Sequence, residues 1–138
     1  MEITINKQDV IENLHKVTGN LALKLGAPEL IASTEEDVER IAPLWNNASL
    51  DLLHVLSPYA DMLFNNNGVV YSLEMPVNWK VSQRNNLFMQ CAAYIKQALV
   101  ARWLDFVKPD SAMLYRTLNQ NIAEAIQHIL TLRQKPDR

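Results

Sequence analysis

One break governs the C-terminal half of this chain. From Ser82 to Gln134 the residues favour helix throughout, and the stretch is interrupted only at Lys108-Pro109-Asp110. Proline lacks a backbone N–H and its ring clashes with the preceding turn, so one continuous helix cannot pass through this point. A break of so few residues between two long helices makes them fold back as an antiparallel pair. The first is capped by Ser82 and runs to about Val107. Phe88, Ile95, Leu99, Trp103 and Phe106 form its main apolar face, widened by Cys91, Tyr94 and Ala98, and so broad a face marks a central element. The second begins with either Pro109 as a first-turn residue or Asp110 as cap. It carries Leu114, Leu118, Ile122, Ala125, Ile129 and Leu132 and ends near Gln134.

Two further helices precede this pair. Asn6 is a good N-cap for a helix over Lys7 to Leu25, where Gly26 supplies the left-handed residue that stops it ahead of Pro28. Val10, Leu14, Val17, Leu21 and Leu25 share one face. The next helix opens at a capping box, Ser33 with Glu36, and the acidic run Glu35-Glu36-Asp37 opposes the positive end of its dipole. Its buried stripe is Val38, Ile41, Trp45, Ala48, Leu52 and Val55. Pro43 kinks it or shifts its start, and Pro58 ends it.

Between the second and third helices the character changes. Asn65-Asn66-Asn67-Gly68 is a turn signal, followed by Val69-Val70-Tyr71-Ser72-Leu73, a run rich in strand formers. A second extended piece, Val77 to Val81, follows Pro76. Together they predict a short β-hairpin or extended arm over 69–81 that leans on the helices for stability. The expected fold is mainly all-α: a four-helix bundle-like single domain over 1–138, with this arm and a frayed basic tail at 133–138.

Composition narrows the function classes. With 49% hydrophobic and 20% charged residues the chain carries enough apolar surface to offset its conformational entropy, so it is globular. A net charge of −2 argues against a protein that wraps nucleic acid, which needs a dense basic field. The single cysteine, Cys91, excludes an internal disulfide and favours an intracellular origin. No basic and apolar leader follows Met1, and no run approaches the roughly 20 apolar residues of a membrane helix.

Residues that can carry chemistry are few and dispersed. His15, His54 and His128 fall on three predicted helices, and a helical bundle can converge such residues on one metal. No histidine lies four residues from another, and neither HExxH nor Glu-x-x-His occurs, so each reads as a lone boundary residue and no metal is expected. Glu35, Glu36, Asp37 and Glu39 are accounted for by the helix start. Cys91 lies in an apolar stretch, where a thiol behaves as a small core hydrophobe. Gly19, Gly26 and Gly68 build no phosphate loop. No catalytic residue and no cofactor is expected. Trp79, after a proline in the extended segment, either packs under the arm or contacts another chain. Arg133, Lys135 and Arg138, with Arg116 one face round, either touch nucleic acid or an acidic neighbour or form a solvated helix end.

The acidic-capped helix Thr34-Glu35-Glu36-Asp37-Val38-Glu39-Arg40-Ile41, the extended Tyr71-Ser72-Leu73-Glu74-Met75-Pro76 and the helix pair beyond resemble the small helical head-to-tail connector or head-completion proteins of tailed phages. Ala101-Arg102-Trp103-Leu104, Lys108-Pro109-Asp110 and Leu132-Arg133-Gln134-Lys135-Pro136 are similar to prophage structural proteins of gut Bacteroidetes type. The likeness runs from about Thr34 onward. Gly26 to Ser33 and Pro43 depart from the simplest pattern. The resemblance implies a non-enzymatic virion component, located in the bacterial host cytoplasm and in the virion, whose copies form a ring beneath the portal. It also implies that Val69 to Val81 is a contact arm, with Tyr71 and Trp79 touching the portal, other virion proteins or another copy. The alternative is a bacterial regulatory or adaptor module with a protein-binding groove between helices, and behind it a metal-dependent bundle hydrolase.

Overall fold

Helices Arg84–Val107 (α3) and Pro109–Thr131 (α4) form the expected antiparallel pair in the computed structural model, which describes residues 1–135. Lys108 alone joins them. Its N–H donates to the Leu104 carbonyl (2.7 Å), ending α3, and its own carbonyl accepts from Ala112 N–H (3.2 Å), starting α4 with Pro109 in the first turn. Before them come strand Glu2–Asn6 (β1), helix Lys7–Leu25 (α1), helix Val38–Leu56 (α2), strand Ala60–Phe64 (β2) and strand Gly68–Leu73 (β3). Among the described residues the fold is mainly helical, with four long helices and one small three-stranded antiparallel sheet.

The sheet corrects the expected arm. β3 is its central strand, in the order β1-β3-β2, so the predicted extended run is buried between two partners instead of reaching outward. Ile3, Tyr71 and Met62 lie side by side across the sheet, as do Ile5, Val69 and Phe64. Because side chains alternate along a strand, this places one apolar face against the helices and leaves Glu2, Thr4, Asp61, Leu63 and Ser72 on the other. The hairpin partner is Ala60–Phe64, upstream of the asparagine turn, and not Val77–Val81. Asn65 shapes that turn, with its Oδ1 accepting from Asn67 N–H and Gly68 N–H, each at 2.8 Å.

Capping holds at α1 and shifts at α2. Asn6 Oδ1 accepts from Asp9 N–H (3.1 Å), and Gly26 takes the left-handed conformation (φ 62°). At α2, Ser33 Oγ accepts from Glu35 and Glu36 N–H, but in return Ser33 N–H donates to Asp37 Oδ2 (2.8 Å) and not to Glu36. The helix proper then starts at Val38. That delayed start puts Pro43 only in its second turn.

Two predicted faces are rotated. On α1, Thr18 and Ala22 are buried with Val10 and Leu14, while Leu25 is exposed. Thr18 can be interior because its hydroxyl donates to the Leu14 carbonyl (2.7 Å) and accepts from Ala32 N–H (3.0 Å), clipping the loop after α1 onto the helix. On α4, Ala112, Asn119, Ala123, Ile126 and Leu130 face inward, and Leu114 and Leu118 turn to solvent. Phe88 and Phe106 of α3 are exposed as well. Buried side chains of α1 to α4, β1 and β3 form one contiguous core, in which α3 packs against α1, α2 and α4.

The C-terminal segment is tied down where fraying was expected. Leu132 O accepts from Lys80 N–H (3.1 Å), and Gln134 N–H donates to Asn78 O (2.7 Å). The remainder of the predicted tail, 136–138, lies outside the described residues. No helix among the described residues is long and apolar enough to cross a membrane.

Candidate functional site

Tyr71 and Trp79, expected as outward contacts, are interior. Tyr71 is wholly buried in the central strand and donates to the Ser49 carbonyl of α2 (2.6 Å), and burial raises its phenol far above the ordinary range. Trp79 lies beneath the C-terminal segment, where its Nε1–H donates to the Ile129 carbonyl (3.0 Å). Both side chains are committed within this chain. Arg133 and Lys135 are exposed, and Arg133 Nη1 donates to the Leu130 carbonyl (2.9 Å) at the end of α4. Arg116 is near the other end of that helix, about 25 Å away at 1.5 Å per residue, so these residues form no common basic patch.

The histidines stay apart too. His15 Nδ1 donates to the Ala32 carbonyl (2.8 Å), while His54 and His128 are exposed on α2 and α4. Among the described residues no group of three or more His, Cys, Asp or Glu side chains is placed to hold a metal.

Cys91 is fully buried in α3, and burial pushes its thiol up to about 12 from an ordinary value of 9.0. The neutral thiol is the nucleophile's unreactive form. We therefore expect thiol reagent at neutral pH to label Cys91 only as fast as the chain opens, and fully in denaturant. The sign of the linkage follows. Stability from this neutral thiol is complete below pH 9 and is lost as pH rises from 9 toward 12, because the unfolded chain releases its proton first. A Cys91→Ala chain should lose stability less steeply over that window, and rapid labelling of the native protein would contradict the burial.

The surface that gathers functional side chains runs along α2. Arg40, Leu44, Asn47, Asp51 and His54 recur at four, three, four and three residues, which sets them in one stripe. Its N-terminal part meets the end of α3 at an apolar pocket of about 330 Å³, lined by Arg40, Pro43, Leu44, Asn47, Trp103 and Phe106. Trp103 forms its buried floor, and the Arg40 guanidinium sits 4.7 Å from the centre of that ring. Phe106, at its rim, is 72% exposed.

Farther along the stripe, α4 joins α2 and α3 around a polar cleft of about 400 Å³. Arg102 grips Asp51 with two hydrogen bonds, Nε to Oδ2 at 2.8 Å and Nη2 to Oδ1 at 2.9 Å. Both side chains are about one-third exposed, so solvent holds this pair to roughly 1 kcal/mol, the upper end for surface pairs. A second pair, Arg116 with Asp105, links α4 to α3. Tyr94 stands in the same cleft. Its hydroxyl is raised above the usual range by burial first and by the Asp51 charge second, against an opposing effect of Arg102, which keeps it a hydrogen-bond donor. Asn119 is buried there, and its Oδ1 meets no donor among the described residues. The cleft thus offers paired, charge-balanced rims around one open acceptor, an arrangement suited to holding polar groups of a partner.

Sequence reasoning missed this surface for two reasons. Phe106 lies at helical spacing with core residues, a spacing that predicts a buried position. Asp51 and Arg102 are far apart in the chain, and nothing local to either one signals the pairing. No known protein family, curated protein or solved structure matches this chain.

Proposed function

We propose that the chain is a non-enzymatic assembly component of a tailed-phage or prophage virion, of the head-to-tail connector kind, working by self-association and by docking against the portal or neighbouring virion proteins. The observation that carries this reading is Phe106, a large aromatic largely in solvent at the rim of an apolar pocket floored by Trp103 and edged by Arg40. Aromatic and arginine side chains around a desolvated pocket, with a polar surround, are the usual anatomy of a protein-binding hot spot. The resemblance supports the same surface, since Arg102 and Trp103 of its Ala101-Arg102-Trp103-Leu104 segment supply the ion pair and the pocket floor. In this reading the contact surface is the α2–α3 stripe and not the segment Val69 to Val81. The chain resides in the bacterial cytoplasm until it joins the particle.

The adaptor reading draws on a different observation, the open Asn119 acceptor in the polar cleft, which fits the amide N–H of a host peptide.

Phe106→Glu separates docking from folding. An exposed side chain contributes little to stability, so the variant should unfold within about 0.5 kcal/mol of the parent. It should nonetheless be lost from particles. Mass spectrometry of purified virions is expected to find the parent chain and not the variant. A chain absent from particles, or a variant retained at parental copy number, would overturn the proposal.

A further inference from the structure

β2 is an unpaired sheet edge whose backbone and side chains are both set for a partner. Asn65 N–H donates to Gly68 O (3.0 Å) and Glu74 N–H to Tyr59 O (2.9 Å), which fixes the phase of the β2–β3 ladder. In an antiparallel pair, residues alternately bond to the partner and point away from it. Asp61 and Leu63 therefore bond to β3, while the N–H and C=O groups of Ala60, Met62 and Phe64 point outward. Edges left open in this way are ordinarily guarded by lysine, proline or a bulge. β2 has no lysine, proline or bulge, and its single charge is Asp61. Leu63 is 71% exposed and Phe64 41% exposed instead.

We propose that a second copy of this chain covers the edge, β2 against β2 in antiparallel register about a two-fold axis through Met62, joining two three-stranded sheets into one. This supplies the self-association half of the assembly reading above and rests on it. The argument for a second copy is that the strand is complementary to itself. With five residues and outward groups at the first, third and fifth, a two-fold at Met62 sets Met62 opposite its own copy and Ala60 opposite Phe64, so every outward N–H meets an outward C=O.

Side chains agree with this register. On the helix-facing side the small Ala60 faces the large Phe64, and on the outer side Asp61 faces Leu63. Moving the axis to Asp61 would oppose two carboxylates directly. Moving it to Leu63 would leave Ala60 outside the pairing. The far edge has no such surplus of apolar surface, because Ile3 and Ile5 of β1 are already buried and Glu2, Thr4 and Asn6 are polar.

The test uses the purified full chain and needs no virion, so its failure is distinguishable from failure of Phe106 docking. Sedimentation across a concentration series should show a monomer–dimer equilibrium. Amide exchange followed by NMR should show Ala60, Met62 and Phe64 gaining protection as concentration rises, with Glu2 and Thr4 unchanged. Met62→Pro removes an outward donor and spares the bonds to β3, so it should stay folded and lose the dimer. Leu63→Glu, at a position 71% exposed in the single chain, sets a second carboxylate opposite Asp61 of the copy and should weaken association at least tenfold. A monomer throughout, protection appearing at β1, open-ended filaments built from unlike edges, or a Phe106→Glu variant that loses the dimer while Met62→Pro keeps it would each overturn the proposal.

Discussion

Replacing Trp103 by alanine should destabilise the protein by about 3–5 kcal/mol, the range for deleting a buried indole. Trp103 is 1% exposed on α3, the helix that meets the other three. Its ring occupies the core, its Nε1–H donates to the Leu30 carbonyl (2.8 Å), and Arg40 covers its face. Alanine would leave a cavity, strand the Leu30 carbonyl and release the loop between α1 and α2. Against a total of roughly 5–15 kcal/mol for a domain, this is a large fraction. Urea unfolding should show a lower midpoint at unchanged slope. Trp103→Phe keeps most of the apolar area and loses the hydrogen bond, so it should cost less, about 1–3 kcal/mol. A loss below about 1 kcal/mol for the alanine variant would mean that α3 is not the centre of the core.

Gly68→Ala is expected to be nearly as damaging, for a steric reason. Gly68 opens β3 opposite Asn6, and a Cβ there would collide with the Ile5 carbonyl oxygen and press within 3.0 Å of Ile5 C and Lys7 N. All of these are backbone atoms. They cannot move aside cheaply, because Lys7 N–H is bonded to Asn67 O (2.8 Å) and Ile5 is paired with Val69. One methyl group therefore pushes β1 off the sheet, at about 3 kcal/mol or more. Gly19→Ala is the control. It lies inside α1 with no atom within 4 Å of an added Cβ, and should stabilise by about 0.5–1 kcal/mol. Equal effects in thermal unfolding would remove the close approach of β1 and β3 as the cause.

What could be read from residues alone tracks how local each determinant is. The α3–α4 pair, the Asn6 and Gly26 caps and the turn at Asn65 depend on residues within a few positions of one another, and they stand as expected. The sheet does not. Strand β1 shows a period-two pattern, Ile3 and Ile5 between Glu2, Thr4 and Asn6, but so short a run finds meaning only through β3 near the middle of the chain. Once β3 has two neighbours, Tyr71 has to be interior, and the expectation of an arm fails with it. On α4 the inward face mixes the small Ala112 and Ala123 and the polar Asn119 with Ile126 and Leu130, a set that local apolar spacing does not single out over Leu114 and Leu118. The candidate site was hidden for the same reason, since Asp51 and Arg102 are 51 residues apart and pair only once α2 lies against α3.

Synthesis runs opposite to this dependence. β1 is made before the other described elements, yet its strand partner among the described residues is β3, and Met1 is hydrogen-bonded to Leu73. Closing so long a loop is slow compared with zipping a helical hairpin whose halves are joined by a single residue. The earliest-made strand is therefore seated late, and until then Ile3 and Ile5 are accessible on the nascent chain. A chaperone that binds short alternating apolar segments would find its opening here, in the interval between the emergence of Asn6 and that of Leu73.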